Sequence, residues 1–238
     1  MRPTIGVLGG MGPAATAQFL TDLTAEETRQ GAETDQDHLE ALIYSHTLIP
    51  DRTPNIVAGL DAPLRPLRDG IERVLRWGAD ILAVPCNTAH FYINRFLDEI
   101  PVPFVHIVHE TLRAAQEHSP EGAWLTATNG TVATELYQET AQKMGYELWR
   151  PNPEQQERIM HVVYLVKEGK FGPAGELDRT VLSELLNKRE GMIVTACTEL
   201  PLAYPHSGLP AELEISSSRA LAQGVVRVAR EWEQEHSQ

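Results

Sequence analysis

Cysteine is almost missing from this sequence: Cys86 and Cys197 are the two present in 238 residues. They stand 111 positions apart, a spacing that fits neither zinc ligation nor a CxxC redox motif. In a reducing cytosol a disulfide is the less favoured reading, and two inert buried thiols would satisfy composition alone. Long apolar runs are lacking too, none approaching the ~20 residues that span a bilayer. Positive charge is short, with 20 Lys and Arg against 33 Asp and Glu and a net charge of −13. That balance argues against nucleic acid or an anionic membrane surface as the main partner, although a few placed cations can still hold a small anion. The opening stretch MRPTIGVLGG runs directly into a strand pattern without signal-peptide anatomy, so the chain reads as soluble and cytoplasmic.

What is present is an alternation. With 42% hydrophobic residues the chain can bury a normal core, and its apolar runs are strand-like and separated by longer helical patterns. Strands are expected at residues 4–9, 39–46, 79–85, 102–107, 123–128 and 191–196, with short ones at YELWR and ELEI. Helices are expected at 13–29, 64–77, 88–99, 109–118 and 131–144, followed by two more and a terminal one opening at SSS. Such alternation implies βαβ units and a mainly parallel sheet. Breaks at residues 117–122 and 203–210 mark domain crossings. They divide the chain into a first domain of residues 1–117 plus 209–238, with the last helix returning to it, and a second of residues 118–208.

A faint internal repeat supports two related halves. Shifting GPAATAQF by 118 places it on GTVATELY, with Gly12 on Gly130 and Thr16 on Thr134, and a shift of 111 places Cys86 on Cys197. Each cysteine then sits where a parallel strand ends and a helix begins, the ligand-binding edge of an α/β sheet. Two such edges facing each other would bring the thiols to opposite sides of one cleft. There a thiolate could take a proton from a carbon while a thiol delivers one to the far side, with Thr or Asn next to each cysteine capping the helix that follows.

The motifs GVLGGMGPAAT, DQDH, IPDRT, PCNTAH, ATNGT, YLVKEGK and CTELP follow in order between residues 6 and 201. Together they give a sequence that resembles the aspartate/glutamate racemase superfamily, and within it the aspartate racemase branch. The resemblance implies an α/β protein of two pseudo-symmetric parallel-sheet domains with the active-site cleft between them. It also implies an isomerase that racemises aspartate, glutamate or a broader set of amino acids without pyridoxal phosphate or any other cofactor. Cys86 and Cys197 would be the paired acid and base. Asn87, Thr88, Thr128, Thr131 and Thr198 would hold the α-amino and α-carboxylate groups, and Arg52 and Lys167 the side-chain carboxylate. Relatives are often dimeric, which allows a homodimer here.

Two positions depart from the pattern. Glutamate racemases carry His two residues after the second cysteine, where this chain has Glu199; it either orients Cys197 or serves a helix dipole. Relatives often have an acidic residue where EISSS stands, and Ser216 reads as a helix N-cap. Elsewhere the plainer readings hold. GVLGGMG lacks GxGxxG spacing, so Met11 either nears a ligand or packs. DQDH at residues 35–38 reads as a loop with no metal, since no third ligand is evident, and His90 as a structural histidine. Rival functions are a maleate isomerase or decarboxylase-like enzyme of the same superfamily, and a non-catalytic ligand-binding or redox-responsive protein.

Overall fold

The computed structural model describes residues 2–236. The first half holds β1 (Ile5–Gly9), α1 (Pro13–Arg29), β2 (Ala41–Ser45), α2 (Arg52–Val57), α3 (Leu64–Arg76), β3 (Ile81–Ala83), α4 (His90–Ile93), β4 (Phe104–Val105) and α5 (Ile107–His118). The second holds β5 (Ala123–Ala127), α6 (Asn129–Ala133), α7 (Leu136–Lys143), β6 (Leu148–Trp149), α8 (Pro153–Lys167), α9 (Phe171–Lys188), β7 (Met192–Ala196), α10 (Leu200–Ala203) and β8 (Glu214–Ser216), before α11 (Ser217–Glu235) ends the chain. Every strand pairing is parallel, in two four-stranded sheets of order β2-β1-β3-β4 and β6-β5-β7-β8. The two orders are the same order, and Cys86 and Cys197 follow the equivalent strands β3 and β7.

Local chemistry explains these elements. The central strands β1 and β5 are buried along their whole length, as parallel strands covered on both faces must be. Pro13 opens α1 at a position whose N–H has no helical partner, and Gly31, with φ +105°, ends the turn that closes it. At α8, Asn152 Oδ1 accepts from Gln155 N at 2.9 Å while Gln155 Oε1 accepts from Asn152 N at 3.0 Å, a reciprocal cap. The helix then runs to Lys167 as its last residue.

The two halves share a core. One cluster joins Ile5 and Val7 of β1, Leu125 of β5, Val194 of β7 and Leu221 and Val225 of α11. Burying each such side chain contributes about 1.5–3 kcal/mol, so α11 fastens the two sheets together. A charge at Val225 would break that joint.

Three expectations need correcting. β8 pairs with β7, so residues 214–216 belong to the second sheet, whereas a boundary at residue 209 assigned them to the first domain. The helix expected over 131–144 is two helices, α6 and α7, separated where Glu135 adopts φ 52°. The helix expected over 88–99 shrinks to the four residues of α4 and a short 3₁₀ turn.

Candidate active site

Cys86 and Cys197 are both buried and free, and both line one narrow cavity between the halves. Its wall also contains Met11, Asp51, Arg52, Thr53, Asn87, Thr88, Thr128, Val163, Lys167, Thr198 and Glu199. The free space inside is about 20 Å³, room for about one water. A vestibule of about 550 Å³ adjoins it and shares Met11, Asp51, Arg52, Lys167 and Glu199, so these five residues form the partition between them.

Helix caps do not organise the cysteines. α4 begins four residues after Cys86, α10 three after Cys197, each helix has four residues, and neither carries a side-chain cap. At Cys197, burial and the Glu199 carboxylate outweigh the backbone N–H of Glu199, which still favours the thiolate. Thr198 Oγ1 instead donates to Pro85 O of the opposite half at 3.3 Å. Thr88 joins Thr128 and Thr131 in a triangle of hydroxyls with edges of 2.9, 2.9 and 3.0 Å. Thr128 accepts from Thr131 N at 3.1 Å and so caps α6. Thr131 does not line the cavity; it stands behind Thr88 and Thr128 and orients them.

Charges surround the sulfurs. Cys197 Sγ donates to Glu199 Oε2 at 3.1 Å. Burial pushes the Cys197 thiol well above its ordinary pKa, and the adjoining Glu199 carboxylate adds to the effect. Glu199 thus acts on Cys197, and its other oxygen, Oε1, is buried without a partner. Arg52 is buried beside Cys86. Desolvation opposes its charge, but Cys86 and Asp51 outweigh that and raise its pKa. Its Nη2 donates to Met11 O at 3.1 Å and its Nη1 to Pro50 O at 3.2 Å, while Nε–H is buried and unspent. Lys167 Nζ lies 3.6 Å from Asp51 Oδ2. Burial works against its charge too, but Glu199, Asp51 and Cys197 together raise its pKa.

Every residue singled out from the sequence for the site lies in this wall except Thr131. Reading by motif missed Asp51, Thr53 and Val163. Asp51 and Thr53 flank Arg52 in IPDRT, and Val163 precedes Lys167 by four residues on one face of α8, so helical spacing was the signal. Asn87 has both ends engaged, Oδ1 accepting from Tyr137 and Nδ2 donating to Ser217. His90 is structural: burial pushes its pKa down to about 4, Nε2 accepts from Ile107 N at 3.4 Å, and Nδ1 therefore donates to Cys86 O at 2.9 Å. In the DQDH loop, His38 meets Glu27 of α1 at 2.9 Å. Ser216 caps α11, accepting from Arg219 N at 3.3 Å.

Comparison with known proteins places the fold and the family. The broad-specificity amino-acid racemase RacX of Bacillus subtilis is 28% identical over 226 residues, covering 93% of this chain and 96% of its own. An aspartate racemase from Picrophilus torridus superposes with a TM-score of 0.83 at 26% identity, over 96% of this chain and 94% of its own. A Pyrococcus horikoshii aspartate racemase homologue shares the fold, with a TM-score of 0.76 at 21% identity over 96% and 99%. The family described as Asp/Glu/hydantoin racemase matches residues 8–225, nearly the whole cleft-bearing chain, and this protein belongs to it.

Proposed function

We propose that this protein is a cofactor-independent amino-acid racemase in which Cys86 and Cys197 exchange the α-proton from opposite faces of the substrate. The observation that carries the reading is that one narrow cavity is walled by both thiols, one from each half. A thiolate takes the α-proton, and the C–H electron pair delocalises into the α-carboxylate. The facing thiol then gives its proton to the other side of the carbon, so the configuration inverts and the two sulfurs exchange protonation states. Cys197 holds the proton at rest, since burial and the neighbouring Glu199 carboxylate raise its pKa. Arg52 is placed to stabilise an anion at Cys86.

The substrate reading is aspartate, with glutamate and other amino acids as further candidates. Its support is the pair of cations in the partition and the resemblance to an aspartate racemase; the resemblance to RacX supports the broader range. Arg52 Nε–H is an unspent donor for a carboxylate and Glu199 Oε1 an unspent acceptor for an ammonium. Carbanion chemistry without an electron sink has a high barrier, so turnover should be modest.

The test is a panel of D- and L-amino acids, with maleate alongside, given to the parent protein, Cys86→Ala and Cys197→Ala. Each single variant should lose racemisation by at least ~10³-fold at unchanged melting temperature, in line with removal of an acid or base. Retained racemisation in either variant rejects the two-thiol mechanism. Isomerisation of maleate without racemisation would move the protein to the rival enzyme class.

A further inference from the structure

The serine run at residues 216–218 and the hydroxyl of Tyr137 lie outside the cavity wall, yet both converge on a residue within it. Asn87 directly follows Cys86 and is buried. Its Oδ1 accepts a 2.5 Å hydrogen bond from the Tyr137 hydroxyl, and its Nδ2 donates to Ser217 Oγ at 3.0 Å. Those partners are 50 and 130 residues away in the chain and stand on α7 and at the first position of α11. The other two serines are occupied elsewhere: Ser216 caps α11, and Ser218 Oγ donates to Asp22 Oδ2 at 2.5 Å. Ser217 is the one of the three that reaches the site.

The chemistry of an amide makes this a directional device. Oδ1 only accepts and Nδ2 only donates, through two hydrogens. Tyr137 is fully buried, and burial raises its pKa, so it keeps its proton and gives it to the acceptor it faces. In the arrangement observed, Tyr137 donates to Oδ1 of Asn87. Ser217 takes one hydrogen from the nitrogen end. The second hydrogen is left on a residue that lines the cavity beside Cys86. Rotating the amide by 180° would make both hydroxyls exchange donor and acceptor roles and would turn Oδ1, a partial negative charge, toward any bound carboxylate.

We propose that Tyr137 and Ser217 are positioning residues that lock the Asn87 amide, so that its remaining N–H donates to the substrate α-carboxylate as negative charge develops there. The proposal rests on the racemase reading. It adds that groups of the second half and of α11 orient a donor of the first, so the donor is set only when the halves are together.

Three variants and two readouts test it. Tyr137→Phe deletes only the hydroxyl and should lower kcat at least ~10-fold while KM changes less than ~3-fold, because a donor aimed at developing charge acts in the transition state. Ser217→Ala should move kcat in the same direction by less. The loss in Tyr137→Phe should vanish in an Asn87→Ala background, since the hydroxyl then has nothing to orient. Additive losses, or a Tyr137→Phe variant with parental kcat, overturn the proposal. The Asn87 side-chain amide resonances, assigned by comparison with Asn87→Ala, report the lock without turnover. Both should be sharp and slowly exchanging in the parent and should broaden or merge in Tyr137→Phe and Ser217→Ala. Unchanged signals overturn the lock itself. A parent with the lock intact but inactive on every amino acid rejects the racemase reading and the positioning role with it.

Discussion

Glu199 and Cys197 stand two residues apart and share a hydrogen bond of 3.1 Å, and this contact adds to burial in setting the acid–base behaviour of the second sulfur. Burial and the carboxylate both raise the Cys197 pKa, so replacing Glu199 by Gln removes one of the two causes. The thiol of Glu199→Gln should deprotonate at lower pH. The alkaline limb of the kcat/KM profile, which reports loss of the proton-bearing acid, should shift down by about one pH unit; an upward shift or none would contradict the assignment. A second residue-scale prediction concerns the fold. Asp178 is buried with Oδ2 unpartnered, and burial raises its pKa to about 8, while burial brings the Glu214 carboxyl to about 7. Both folded-state values exceed the unfolded ones, so the stability these groups confer is complete below about pH 4 and is lost as pH rises through 7 and 8. Asp178→Asn should therefore gain more melting temperature over the parent at pH 9 than at pH 5, by at least ~4 °C. An equal gain at the two pH values would show that Asp178 keeps an ordinary pKa.

At the scale of elements, the loop after each Cys-bearing strand matters more than the helix that follows it. α4 and α10 are single turns, and the threonines next to the cysteines bond across the cleft. The halves also touch where α2, which begins at Arg52, meets α6. A Cβ at Gly130 would come within 2.8 Å of Thr53 Oγ1 and 2.9 Å of Thr53 Cα. Because a backbone atom blocks the way, Gly130→Ala must push α2 and its Arg52 aside. Kinetics should show at least ~10-fold lower kcat/KM with the melting temperature within a few degrees of the parent; parental kinetics would show that α2 yields freely. The elements themselves were largely legible in the sequence. The apolar runs of β1, β5 and β7 and the amphipathic repeat of α11 need no tertiary information to be read. What misled was the interval after each apolar run: PCNTAH and CTELP look like helix starts, but their polar side chains find partners in the opposite half, which local spacing does not reveal. For the same reason Thr131 reads as a ligand contact in the chain and as a backing residue in space, and Tyr137 gives no signal at all.

For the molecule as a whole, the decisive property is the approximate symmetry of the two sheets. Equal strand orders put the two Cys-bearing edges in equivalent places, and α11, returning from β8 to pack on α1, holds those edges across a shared core. The domain boundary shows why a sequence reading stopped short. β8 and α11 are consecutive in the chain, but β8 completes the second sheet while α11 spans both halves, so no single cut describes the division. Two thiols in one cavity, one from each half, are what this symmetry provides, and isotope incorporation tests the proposed two-thiol mechanism most directly. In deuterium oxide, product formed early from one enantiomer should carry a single α-deuterium while the remaining substrate keeps its protium, because the proton removed by one sulfur is not the one returned by the other. Product that retains its original α-proton, or a substrate pool that exchanges as fast as it inverts, would contradict the two-thiol account.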